Sequence, residues 1–246
     1  MTTVSVQPAL LGQTVVVIGG SAGIGLETAR RARSEGAAII LTGRDPGRLD
    51  HAAADLHAHA SAAFDANDQA ALARFFDGLS DPIDHVLVTA GSPRYGRMLE
   101  MTDDEAREAL SDHMLLSIQV ARHVARTVRP AGSLLLVGGT GGRHITVGNG
   151  IAAAVTAALP ALTASLALEL APVRVNLIAP GFVDTPLSAA ILGEALEARR
   201  EELRRKLPIG RVVEPADVGA LAVHLMTNTA ITGATYDVDG GQQLVA

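Results

Sequence analysis

The 246-residue sequence has no cysteine and no tryptophan, and aromatic residues make up only 2% of it. The missing cysteine excludes disulfides, thiolate catalysis and cysteine-based zinc or iron–sulfur sites outright. With so few aromatics, the core must be assembled from Ala, Val, Leu and Ile within a hydrophobic fraction of 48%. That composition suits parallel strands covered by helices on both faces. An excess of positive charge is lacking too: the formal net charge is -6, which gives no broad field for a phosphate backbone and argues against a nucleic-acid partner. The Met1–Gln13 stretch has no basic region followed by a long apolar run. No segment reads as the roughly 20 apolar residues that span a bilayer. The expectation is a cytoplasmic protein with no membrane partner.

The chain also lacks linkers, repeats and low-complexity segments, and its length falls where one α/β domain buries a large core without splitting. Residues 1–246 are therefore expected to form a single domain. β-Branched runs alternate with helical stretches: Thr14–Ile18, Ala37–Thr42, Ala62–Phe64, His85–Thr89, Ser133–Val137, Val173–Ile178 and Thr235–Val238 read as strands. Between them Ile24–Ser34, Asp45–His59, Asp68–Leu79, Thr102–Thr127, Ile151–Ala171, Leu187–Lys206 and Pro215–Thr227 read as helices, the fourth opened by a Thr102-Asp103-Asp104-Glu105 capping box. Pro160 inside the fifth predicts a kink or a position where its ring meets no carbonyl. The alternation predicts right-handed crossovers and one doubly wound, seven-stranded parallel sheet.

Gly19, Gly23 and Gly25 directly follow a strand and open a helix. Their backbone N–H groups and the positive helix end face outward there, so a pyrophosphate is the expected ligand. Ile24 lies inside this turn, and Ser21 adds a hydroxyl able to bond within it or to a phosphate. Strand, glycine turn and helix in that order define a Rossmann-type dinucleotide site. In NAD-binding units a carboxylate about 20 positions on grips the ribose diol. Here the second strand ends Thr42-Gly43-Arg44: Gly43 removes the carboxylate, and Arg44, with Arg48 as a second candidate, offers charge to a 2′-phosphate. NADP(H) is the expected cofactor ahead of NAD(H), with Asp45 the residue that argues the other way.

These residues resemble the short-chain dehydrogenase/reductase family along nearly the whole chain. Gly19–Gly25 resembles its TGxxxGIG turn; Asp65-Ala66 resembles the pair beside the adenine; Val88-Thr89-Ala90-Gly91 stands where NNAG is usual and keeps Ala90 and Gly91. Arg174-Val175-Asn176 resembles its RVN segment, and Pro180-Gly181-Phe182-Val183-Asp184-Thr185 the PG(x)₃T segment that wraps the nicotinamide. Pro208–Arg211 and Thr232–Gly241 match its C-terminal pattern. The resemblance implies a homotetramer or homodimer built through the two long helices, and a substrate lid at Leu187–Lys206.

It also implies an Asn, a Ser, and a Tyr and Lys in a YxxxK pair. Aligning Leu166-Ala167-Leu168-Glu169 with the family's LAxE puts the Tyr at Ala152, the Lys at Thr156, the Ser at Gly139 and the Asn at His113. None of the four is retained. A carbonyl reductase must give a developing alkoxide its proton, and loss of a positioned general acid costs on the order of 10²–10⁴-fold. Three side chains stand as candidate acids: His113, His144 in the Thr140–Gly150 loop, and Tyr95 in the loop after Gly91. A core histidine bonded to a backbone carbonyl is the plain alternative for His113, and Thr156 reads as a filler of the vacated lysine site. His57 and His59 do not share a helical face, so the His51, His57 and His59 group reads as a solvated surface and no metal site is expected. Two readings follow: an NADP(H)-dependent oxidoreductase with a non-standard active site, acting on a small molecule, or a non-catalytic NADP(H)-binding homologue serving as redox sensor or silent subunit. A lyase or isomerase on the same fold is a third.

Overall fold

A computed structural model describes residues 7–245; Met1 to Val6, part of the Met1–Gln13 stretch considered above, and Ala246 lie outside the described residues. Strands β1 (Thr14–Ile18), β2 (Ala38–Gly43), β3 (Ala60–Ala63), β4 (Ile83–Val88), β5 (Val128–Val137), β6 (Arg174–Pro180) and β7 (Thr235–Val238) form one sheet. Its order is β3-β2-β1-β4-β5-β6-β7, and every pair is parallel. Growth of the sheet reverses between β1 and β4, and at that switch point the strands' carboxyl ends leave a crevice for ligands.

Helices α1 (Gly23–Ser34), α2 (Pro46–Leu56), α3 (Gln69–Asp77), α4 (Asp103–Leu110), α5 (Leu116–Thr127), α6 (Gly150–Glu169), α7 (Pro186–Leu192), α8 (Leu196–Lys206) and α9 (Pro215–Thr227) connect them. Because side chains alternate along a strand, β1 divides its apolar residues between two cores. Val16 and Ile18 pack with Leu116, Val120, Leu159 and Leu166 on one face. Val15 and Val17 pack with Ala29, Ala32, Val218 and Ala222 on the other. Helices α1 and α9 lie close enough that a Cβ on Gly219 would sit 3.2 Å from the backbone N of Thr28.

Two helices expected to be continuous are not. Thr102 and Glu105 do form the capping box, but a π-helical turn over Ser111–Leu115 separates α4 from α5, with His113 inside it. The charged Leu187–Lys206 stretch divides at Gly193, whose φ of +51° is a left-handed conformation that other residues rarely adopt. β5 starts at Val128 rather than Ser133, through an irregular stretch opposite Ile83–His85. Helix α6 passes through Pro160 without interruption. It also corrects the expectation about apolar runs: its 20 residues have a mean hydropathy of 1.9, enough by length and composition alone to cross a membrane. Alanine and leucine fill it up to Glu169, and Ile151, Val155, Leu159 and Leu166 are buried in the fold.

Arg174 opens β6 almost fully buried and with no ion pair among the described residues. Its Nη1 donates to the carbonyl oxygens of Leu225 (2.6 Å) and Asn228 (3.0 Å) and its Nη2 to that of Met226 (2.7 Å). The guanidinium thus caps the C-terminus of α9, where a cation is favoured by the helix dipole. Asn176 donates to Ile231 O and accepts from Ala234 N. The RVN segment is thereby accounted for as a stitch between β6 and the α9–β7 connection.

Candidate active site

The carboxyl ends of β1, β2, β4, β5 and β6 open into a cleft of about 1000 Å³. Its floor at one end is the Gly19–Gly25 turn. A Cβ on Gly25 would lie 2.2 Å from Gly19 O, and one on Gly19, at φ +98°, would lie 2.8 Å from Ala90 N. These two glycines are therefore required by the approach of the turn to itself and to β4. Gly23, at φ +54°, meets nothing closer than Thr185 Cγ2 at 3.4 Å and is required by its backbone conformation. Helix α1 begins after Ala22 with no side-chain cap, so its first N–H groups are left for a ligand. Thr89, overlooked in the sequence beyond its departure from NNAG, donates its hydroxyl to Gly19 O at 3.0 Å and braces the turn. Its place where the family pattern has asparagine was the available signal.

Arg44 stands at the rim just past β2 and makes no ion pair among the described residues, whereas Arg48 is held by Asp45 at 3.1 Å. Asp45 caps α2 through Arg48 N, and the same bond holds its carboxyl below the ordinary aspartate range. Asp45 is thus committed to its own helix. Gly43 is constrained as well, because a Cβ there would sit 3.0 Å from Ser21 Oγ. Ser21, Ile24, Asp65, Ala66, Ala90 and Gly91 line the cleft, as do Pro180, Gly181, Val183 and Thr185, the last of these facing Gly23. Asp65 accepts from Asn67 N, and Thr185 caps α7 in a reciprocal box with Ser188.

Toward the second end the cleft is lined by His113, Gly139, Ala152, Thr156, Tyr95 and His144, so the positions separated along the sequence converge. Gly139 faces Thr156, whose Cγ2 would be 3.6 Å from a Cβ there. The Thr156 hydroxyl turns back onto its own helix, donating toward Ala152 O (3.0 Å) and Ala153 O (3.1 Å). Ala152 presents a methyl group where the resemblance places a phenol. The chain's one lysine is Lys206, bound to Glu202 at 2.8 Å on α8. Tyr95 carries its phenol to the cleft in a loop, and desolvation raises its pKa, the opposite of the lowering a neighbouring cation provides. His144 is exposed on a loop pinned by Asn149, which accepts from Thr146 N and donates to His144 O. Asn149 also lines the cleft and was missed in the sequence, where it reads as one more loop residue.

A family model described as enoyl-(acyl carrier protein) reductase matches residues 19–243. The chain belongs to the short-chain dehydrogenase/reductase family. Among relatives of this family, the oxidoreductase UcpA of Escherichia coli (strain K12) is 30% identical over 257 residues, covering 96% of this chain and 96% of its own length. The short-chain dehydrogenase/reductase ATR9 of Stachybotrys chlorohalonatus is 29% identical over 254 residues, covering 95% and 98%. A small-chain dehydrogenase solved in complex with NADPH superposes with a TM-score of 0.82 at 30% identity, covering 94% of this chain and 99% of that one. The fold of this short-chain dehydrogenase/reductase fits a dinucleotide on its own geometry: glycines where a Cβ would strike backbone, an uncapped helix N-terminus, and a rim arginine with no ion pair among the described residues.

Proposed function

We propose that the protein is an NADP(H)-dependent oxidoreductase of the short-chain dehydrogenase/reductase type with a non-standard active site. The observation that carries this reading is Arg44, unpaired at the end of β2 beside the side-chain-free Gly43, in the same cleft as the glycine turn and the Pro180–Thr185 segment. Arg44 would bind the 2′-phosphate by charge-assisted hydrogen bonds. The α1 N-terminus would receive the diphosphate, and Pro180 to Thr185 would border the nicotinamide. The bound cofactor supplies or accepts a hydride. The chain's own part is to orient the acceptor, exclude water and deliver a proton, and neither Ala152 nor Thr156 delivers one. His113, in the π-helical turn and lining the cleft, is the side chain we assign to that task, since an imidazole can both accept and donate a proton. Substrates that need little acid assistance, such as activated C=N or C=C bonds, suit this arrangement best.

A titration of NADPH and NADH, followed by mixing the NADPH-loaded protein with a panel of carbonyls, imines and enones, tests the proposal. Preference for NADPH and loss of reduced-nicotinamide absorbance with any member support it. Equal affinity for both nucleotides removes the role given to Arg44. Binding without turnover favours the second reading, a non-catalytic NADP(H)-binding subunit or sensor, for which the absence of tyrosine and lysine from α6 is the specific support. Association into a homotetramer or homodimer fits the exposed Leu110, Leu115 and Leu168 on α4, the π-helical turn and α6.

A further inference from the structure

Helix α7 buries none of its residues, and Leu187 and Ile191, one turn apart, line the cleft while 43% and 44% exposed. An apolar face poised over an open cleft calls for an apolar body beneath it. The charges around the same cleft are one-sided. Arg44, Arg48, Arg143 and Arg199 line it, and among the described residues the one carboxylate doing so is Asp65, at the adenine end.

Of the two arginines away from the Arg44 rim, one is fixed and one is exchangeable. Arg143 holds Asp237 through both guanidinium nitrogens at 2.5 and 2.8 Å and donates to Gln243 at 2.6 Å. Withdrawing it would leave Asp237 no cation. Arg199, on α8, donates to Oε2 of Glu202 at 2.7 Å, while Lys206 donates to the other oxygen, Oε1, at 2.8 Å. Glu202 thus keeps a cation when Arg199 turns away, and the cost of releasing Arg199 is small because both partners are partly solvated. Its neighbour Arg200 points elsewhere, to Asp184 at 2.7 Å and to Glu197, and fastens α8 to the segment after β6.

Building on the oxidoreductase reading above, we infer that the substrate is an amphiphilic anion, an apolar body under α7 ending in a carboxylate or phosphate that Arg199 grips after leaving Glu202. Arg199 is then the residue that sets specificity, and Lys206 the spare counter-ion that makes its release inexpensive.

Isothermal titration of NADP⁺-saturated protein with octanoate, octan-1-ol, octylamine and octyl phosphate tests this. A charge-assisted contact predicts octanoate at least about tenfold tighter than octan-1-ol, with octylamine weakest. Arg199→Gln should bring octanoate and octan-1-ol to within about twofold of each other and leave NADP⁺ affinity unchanged. Glu202→Gln, which frees Arg199, should tighten octanoate and guards against misreading a poorly folded Arg199 variant. The better of octyl phosphate and octanoate names the anion. The inference is overturned by equal affinity for octanoate and octan-1-ol, by a preference that survives Arg199→Gln, or by a matching drop in NADP⁺ affinity, which would assign Arg199 to the cofactor's diphosphate. Failure of NADP⁺ to bind the wild type would overturn the nucleotide reading instead, and the same four titrations on nucleotide-free protein would still decide the role of Arg199.

Discussion

The two ends of the cleft are built under different rules. At the glycine turn the closest approaches are to backbone, Gly25 to Gly19 O and Gly19 to Ala90 N, and Gly43 lies against the Ser21 hydroxyl. At the far end, around Gly139, Ala152 and Thr156, small side chains leave room, and the Thr156 hydroxyl is spent on its own helix. A region whose geometry depends on close backbone approach cannot drift without losing that geometry. One whose members act only through their functional groups can lose all of them while the fold remains. On the reading proposed above, cofactor binding and proton delivery are separable in this chain in a way that family membership alone does not reveal.

The comparison can be broken most forcefully by restoring what the far end lacks. Ala152→Tyr combined with Thr156→Lys should raise NADPH-dependent reduction of simple ketones by about 10²–10⁴-fold. No gain in steady-state assays would mean that these positions do not face the reacting carbonyl. At the opposite end, Gly25→Ala should weaken NADPH by about 100-fold or more, the equivalent of roughly 2.7 kcal/mol, because its Cβ has nowhere to go; retained affinity in a fluorescence titration would show the turn to be pliable. A smaller and more selective effect is expected of Arg44→Leu: about tenfold or more loss of NADPH affinity from one charge-assisted contact, with NADH unchanged. If both nucleotides weaken equally, the arginine serves the adenine rather than the 2′-phosphate.

An effect of another kind, on stability rather than on binding or turnover, separates the whole fold from both ends. His85, buried in β4, accepts from Ser133 at 2.8 Å and donates to Gln13 at 2.6 Å as the neutral ring, and burial lowers its pKa to about 4. Since the folded value lies below the unfolded one, the stabilisation is complete above the ordinary histidine range. It is lost as pH falls from there toward 4, at about 1.4 kcal/mol per pH unit. Chemical denaturation of His85→Gln should show a flatter acid limb over that interval, with NADPH affinity at neutral pH unaffected.

What the sequence made legible follows the same division. The turn, the Pro180–Thr185 segment and the seven-stranded order are written in glycines, prolines and β-branched runs whose spacing is fixed by backbone geometry. The π-helical turn at Ser111–Leu115 was not legible, because Leu110-Ser111-Asp112-His113-Met114 has the composition of an ordinary helix and one extra residue per turn leaves no mark on periodicity. Nor was the bond from Thr89 to Gly19 O, made across strands far apart in the chain. The membrane-length apolarity of α6 was underestimated since its alanines, weak individually, add up over the full 20 residues. The division of the Leu187–Lys206 stretch at Gly193 was masked by the regular charge pattern on either side, although glycine itself was the signal.

A chain with a single lysine carries its own reporter site. Lys206 lies at the end of α8, its side chain 58% exposed, and apart from the N-terminus it is the one primary amine in the sequence. An amine-directed fluorophore attached there would sit on α8 without any engineered residue, and would also take from Glu202 the cation that Lys206 provides. Its emission would then register, ligand by ligand, how the surroundings of α8 change as the cleft fills.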